Sequence, residues 1–140
     1  MISAIQQINN EELNILISSG ELGTISDEAK VILDRSVTNS IGTWIGTVDG
    51  RTLCLWGLIA PSILSDRAYL WMLHSPHLAR HMFIFVRHSK IVVEEMLKRY
   101  PLIVGHCHVD AERSRRWIEW LGGKFGVANG PMIPFEIVRK

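Results

Sequence analysis

"RAYLWMLHSPHLARHMFIFVRHSKIVVEEMLKRYPLIVGHCHV", residues 67–109, is the stretch on which the fold turns. It opens with 67–74, apolar on both faces, which predicts a strand in the middle of a sheet. Ser75 then stands where a helix cap belongs, and Pro76 suits the first helical position. Nothing breaks the helical pattern until Tyr100-Pro101. Leu78, Met82, Phe85, Val86, Val92, Val93, Met96 and Leu97 fall on one side of that helix. Arg80, Arg87, Lys90, Glu94 and Lys98 fall on the other. "PLIVGHCHV" reads as the next strand. A strand, a helix and a strand in this order imply a right-handed crossover, with strands 67–74 and 102–109 parallel or nearly so.

Upstream, residues 2–8 fit either a short strand or a helix start. In "NNEELNILISSG", Asn9 and Glu12 have capping-box spacing and Gly20 sits just past the end. In "ISDEAKVILDRSVTNS", Ser26 can cap, Asp27 and Glu28 suit the helix dipole, and Val31, Ile32 and Val37 supply an apolar side. "IGTWIGTVDG" then alternates, "RTLCLWGLIAPS" is nearly all apolar, and Asp49-Gly50 between them marks a tight hairpin. Downstream, "DAERSRRWIEWLGG" predicts a helix capped by Asp110 and closed at Gly122-Gly123, and "KFGVANGPMIPFEIVRK" predicts one or two final strands. The expected fold class is α/β (α+β): a mixed, mostly antiparallel central sheet with flanking helices, in a single domain over residues 1–140.

Composition narrows the function. The 140 residues are 47% hydrophobic and 21% charged, with a formal charge of +1, so no global field favours nucleic acid or a membrane. The start lacks a basic segment followed by an apolar run, so no signal peptide is read, and Cys54 and Cys107 are expected to be reduced. No apolar run reaches the roughly 18 residues that span a bilayer. The expectation is a cytoplasmic protein, or one made in the cytoplasm and carried elsewhere.

The candidate chemistry centres on the helix start. Amides at Ser75–Leu78, with His77, Arg80 and His81 in the first turns, could hold an anion; alternatively Ser75 caps the helix and the basic residues are solvated. His77, His81 and His88 share a helical direction, but no Glu follows His77 and no carboxylate or cysteine stands as a third ligand, so no metal site is assigned. "HCHVD" puts His106 and His108 on one face of a strand and Cys107 on the other. His74 or His108 could serve as a base, or each could be a hydrogen-bonded histidine at a strand end. Cys54 and Cys107 lie in apolar runs and read as packing rather than as nucleophiles. "ERSRRW" (112–117) is a basic cluster that could meet a cofactor phosphate or an acidic partner, or be a solvated face with Trp117 turned inward. Trp56 and Trp71 are expected in the core, and an exposed Trp120 would favour a protein partner.

With these elements placed, the chain resembles the GNAT superfamily of N-acetyltransferases. The resemblance covers nearly the whole chain in element order. It is most specific at the tail, "IVGHCHVD", "AERSRRWIEWLGGKF" and "MIPFEIVRK", which is similar to the family's strand, helix, "LGF" and closing strand. It is closer still to small phage proteins of this fold, the internal virion protein A and phage acetyltransferase group, through Arg116, Trp117, Ile118, Leu121, Gly122 and Phe125. The resemblance implies acetyl-CoA as cofactor, held by Leu73, Ser75, His77, Leu78, Arg80, His81 and Arg116, with His74 and His108 flanking the reacting groups. It implies a protein or small-amine acceptor, a host protein among the candidates, no membrane or nucleic-acid partner, a homodimer as one assembly, and a place in the host cytoplasm or the virion. The departures are chemical. The family's glycine-bearing phosphate loop is replaced by "SPHLARH", the usual Asn falls near Ala111 and the usual Tyr near Ile118. They leave a second expectation open: a GNAT-shaped binding or virion protein that has lost catalysis.

Overall fold

The computed structural model describes residues 3–62 and 64–139. The elements run β1 (Ser3–Gln7), α1 (Asn10–Ser18), α2 (Asp27–Asn39), β2 (Gly42–Val48), β3 (Arg51–Ile59), β4 (Arg67–His74), a 3₁₀ turn (Leu78–His81), α3 (Met82–Arg99), β5 (Leu102–His108), α4 (Glu112–Trp120), β6 (Lys124–Phe125) and β7 (Met132–Val138). The strands form a mixed sheet in the order β1-β2-β3-β4-β5-β7-β6. β4 and β5 are parallel, as the crossover requires, while β1–β2, β2–β3, β5–β7 and β6–β7 are antiparallel. No helix among the described residues is long and apolar enough to cross a membrane. The contacts divide the chain into two compact units, Met1–Ile59 with Trp71–Phe85, and Ala60–Leu70 with Val86–Lys140.

In the first unit the short-range signals hold. Asn9 Oδ1 accepts from the Glu12 amide at 2.9 Å and Glu12 Oε1 accepts from the Asn9 amide at 3.3 Å, which closes the capping box of α1. Ser26 Oγ caps α2 through the Ala29 amide at 3.1 Å. Asp49 (φ 50°) and Gly50 (φ 81°) both sit in the left-handed region that the β2–β3 hairpin demands. The ambiguity at residues 2–8 resolves to strand: Ser3–Gln7 pair with β2, while Ile2 lies outside the described residues. The core joins Leu13 of α1, Leu33 and Val37 of α2, Ile45 of β2 and Leu55 of β3, with Trp71 and Leu73 of β4 packed against it. Two expectations are corrected. Val31 and Ile32 are 55% and 62% exposed, because α2 turns the Leu33–Val37 stripe inward instead. Trp71 is half-buried rather than core: its indole lies against Gly57 and donates to Ser40 Oγ at 2.7 Å, whereas Trp56 is buried.

In the second unit β5 and β7 alternate cleanly. Ile103, Gly105, Ile133, Phe135 and Ile137 are buried on one face, and His106, His108, Met132, Glu136 and Val138 are exposed on the other. Gly105 is glycine for space: a Cβ there would lie 2.5 Å from the Phe135 ring and 2.9 Å from the Leu70 carbonyl oxygen. α4 ends at Gly122 (φ 94°), whose amide donates to Glu119 O at 2.9 Å while the Gly123 amide donates to Ile118 O at 2.9 Å, the paired bonds of a Schellman motif. Its start is corrected: Ala111, not Asp110, precedes the first turn, and no side chain caps it. Both final strands form, with β6 covering only Phe135 and Glu136 of β7.

Candidate functional site

The turn after β4 belongs to the first unit, and Ser75 builds it. Ser75 is buried, its amide donates to Leu53 O at 2.9 Å, and its hydroxyl donates to Thr52 O. The same hydroxyl accepts from the His77 amide at 3.1 Å. The Leu78 amide donates to Ser75 O at 3.2 Å and the Arg80 amide to His77 O at 3.4 Å. The serine therefore stitches a turn and a 3₁₀ segment to β3, and the α-helix begins only at Met82, where the sequence predicts it at Pro76. The expected cradle of free amides at Ser75–Leu78 is corrected accordingly: Ser75, His77 and Leu78 all spend their N–H groups inside the chain, and Pro76 has none.

Side chains give this turn a mixed charge. His77 Nε2 lies 3.5 Å from Glu21 Oε1, in the loop between α1 and α2. Glu21 also accepts from the Thr52 amide at 2.8 Å and faces Arg51 Nη1 at 3.5 Å. Arg80 is exposed and His81 half-buried, and neither has a carboxylate partner among the described residues. Leu73 is half-buried against the core, and Leu78 is buried. His74 stands at the strand end, the residue open to solvent but its ring partly covered, edge-on to Phe85 with centroids 6.4 Å apart. The atoms crowded round that ring hold its pKa below the usual imidazole value, so His74 is neutral at pH 7.

In the second unit, β5 presents His106 and His108 outward. His108 Nδ1 accepts from the Asp110 amide at 3.3 Å, with Asp110 Oδ2 3.8 Å away. In the neutral ring that bond uses the Nδ1 lone pair, whereas in the protonated ring Nδ1–H would face the Asp110 carboxylate. His106 Nδ1 lies 3.1 Å from the Tyr69 hydroxyl, with ring centroids 5.6 Å apart. Sequence reasoning passes over this pair. The signal is the parallel register: Tyr69 is level with Val104, and His106 is two residues further along the same face. Burial raises the Tyr69 pKa, so its hydroxyl keeps its proton through the neutral range.

Arg116, on α4 of the second unit, is exposed and pairs with Glu112 at 2.8 Å. Arg115 donates to Val109 O at 3.3 Å and lies over the Phe125 ring. Trp117 points its Nε1 at Ser89 Oγ, 2.9 Å away, and Trp120 is 49% exposed with Lys90 above its ring. Burial pushes the Cys54 thiol up to about 12. Cys107 is also raised by burial, with Arg115 opposing the shift. Among the described residues no three His, Cys, Asp or Glu side chains gather to hold a metal.

No protein-family model matches the sequence, and no curated protein matches it. Solved structures do match in shape. The ribosomal-protein-S18-alanine N-acetyltransferase of Escherichia coli superposes with a TM-score of 0.70 at 10% identity, over 99% of this chain and 96% of that one. A Campylobacter jejuni N-acetyltransferase in complex with acetyl coenzyme A gives 0.67 at 5% identity, over 99% and 100%. The dodecameric spermidine N-acetyltransferase of Vibrio cholerae gives 0.66 at 12% identity, over 98% and 94%. At these identities the likeness is one of architecture: this chain has the fold of the GNAT acetyltransferases.

Proposed function

We propose that this chain, as one domain over residues 1–140, is an acetyl-CoA-dependent N-acetyltransferase that modifies an amine of a protein or small molecule. The observation that carries the reading is near-full-length superposition on N-acetyltransferases, one of them holding acetyl coenzyme A. The residues fit the cofactor through side chains rather than amides. Arg80 and His81, without carboxylate partners among the described residues, are the groups to hold its phosphates, beside Leu73 of β4 and Ser75 and Leu78 of the turn. His77 is drawn to Glu21, and Arg116 to Glu112, so each contributes only by leaving a carboxylate. Bound acetyl-CoA supplies an acetyl carbonyl activated as a thioester. The chain's share is to take a proton from the acceptor ammonium, for which an imidazole of the β4–β5 stretch is suited, the neutral His74 among them. His108, exposed further along β5, is another imidazole for that role. The resemblance of Arg116, Trp117, Ile118, Leu121, Gly122 and Phe125 to the pattern of small phage proteins supports a phage source, a host protein as acceptor, and action in the host cytoplasm or the virion, and the oligomeric spermidine N-acetyltransferase supports a homodimer as one assembly.

One observation favours a second reading, a GNAT-shaped binding or virion protein without catalysis: the turn that would cradle phosphates has spent its amides on the chain itself. Thermal shift and calorimetry with acetyl-CoA separate the two. A functional enzyme is stabilised at about 1 mM cofactor by mass action, and Arg80→Ala weakens binding several-fold. No stabilisation sinks the enzyme reading, and unchanged affinity in the variant moves the phosphate site elsewhere.

A further inference from the structure

The second unit holds a tyrosine–histidine pair, Tyr69 and His106, that the resemblance does not supply. The β4–β5 ladder stops at Tyr69–Val104, although β5 runs on to His108. His106 is therefore the first outward-facing residue past the end of the ladder, and its ring is exposed. Tyr69 anchors the inner nitrogen of that ring at 3.1 Å from a half-buried position on β4. The same face carries Arg67 on β4, His108 on β5, Glu136 and Pro134 on β7, and Lys124 on β6, by strand register. Glu136 is diagonal to His106 across the β5–β7 pair, with Lys124 of β6 directly opposite it.

We propose that His106 is the general base for a cationic amine acceptor, with Nδ1–H donated to the Tyr69 hydroxyl and Nε2 turned to the substrate. The inference rests on the acetyltransferase reading. An N–H bond of the acceptor ammonium breaks, its proton goes to His106 Nε2, and the electron pair left on nitrogen forms the bond to the acetyl carbon; as the C–S bond breaks, a second N–H proton passes to the departing thiolate, which leaves as the thiol of coenzyme A, and the product is the neutral amide. The imidazolium keeps its Nδ1–H on Tyr69 and returns the extra proton to water. A base held by a third group is the general arrangement of such sites. Tyr69 is a positioning residue: a hydroxyl that stays protonated accepts one hydrogen bond from the ring without taking its proton.

The test begins with the free protein. Nitrogen-15 NMR of labelled histidines, with His106 assigned by the H106Q difference, should show the neutral ring protonated on Nδ1, and Tyr69→Phe should release that form. A ring protonated on Nε2, or one that Y69F leaves unchanged, overturns the pairing. With acetyl-CoA, and spermidine or an alanine-initiated peptide as probe amine, H106Q should lower kcat/KM by roughly 10²–10⁴. It should also lose the acidic limb of the pH–rate profile and keep the wild-type thermal shift with acetyl-CoA. Y69F should displace that limb with a smaller loss of rate. Turnover unchanged in H106Q sinks the inference alone. A wild-type protein with neither thermal shift nor turnover sinks the acetyltransferase reading, and this inference with it.

Discussion

Replacing Glu21 should loosen the turn after β4, and the structure states by how much. Glu21 Oε1 accepts from the Thr52 amide at 2.8 Å, and Thr52 is 2% exposed. Glu21→Ala leaves that amide buried without an acceptor, which costs about 1–3 kcal/mol. The Arg51 contact adds little: its side chain is 63% exposed, and ion pairs of that kind contribute roughly 0–1 kcal/mol. The expected loss is therefore about 2 kcal/mol, read by urea unfolding or as a fall in Tm of roughly 4–8 °C at this chain length. Glu21→Gln keeps an oxygen for the amide and gives up only the charge, so it should cost less than about 1 kcal/mol. E21Q as damaging as E21A, or Arg51→Ala reproducing the E21A loss, would show that charge and not the buried amide holds this loop.

Gly105→Ala should destabilise by about 1–3 kcal/mol in thermal melts, because the new methyl meets both the Phe135 ring and the Leu70 carbonyl oxygen, and the carbonyl cannot swing away; an unchanged Tm would refute the contact. His74 has a folded pKa below its unfolded value of about 6.5, so the unfolded chain binds the extra proton first. Its neutral ring contributes stability above about pH 6.5 that is lost as pH falls toward the folded pKa. His74→Gln should remove that share of the acid-side loss, measured as the Tm difference between pH 8 and pH 5. Cys54, buried and pushed up to about 12, should resist iodoacetamide at pH 7.5 in the folded protein and react in urea, with Cys107 slower than a free thiol; mass spectrometry showing free-thiol rates at Cys54 would refute its burial.

The comparison of expectation with structure divides by range. The Asn9–Glu12 capping box, the Ser26 cap, the Asp49-Gly50 turn and the Gly122-Gly123 close are all legible, because each is decided by bonds within about five residues. The order of elements and the parallel β4–β5 pair follow from periodicity and crossover handedness. Failures come where a distant partner overrides a local preference. Ser75 looks like a helix cap, but Thr52 and Leu53 of β3 take its hydroxyl and amide, and the α-helix starts seven residues later at Met82. The Asp110 miss is local instead: Ala111 precedes the first turn of α4, and no side chain caps it. Val31 and Ile32 are as apolar as Leu33, and only the packing of α2 chooses between them.

The candidate site divides the same way. The sequence by itself determined which residue types stand at the end of β4, along β5 and at the start of the following segment, and so confined the chemistry to imidazoles and Arg80. Only the tertiary structure decided what each can do: that the Ser75, His77 and Leu78 amides are spent, that Glu21 faces His77, that Asp110 lies against His108 Nδ1, and that Tyr69 holds His106. The reason is physical. Whether a side chain donates, accepts or takes up a proton depends on the atom about 3 Å from it, and at these positions that atom often belongs to another strand or loop.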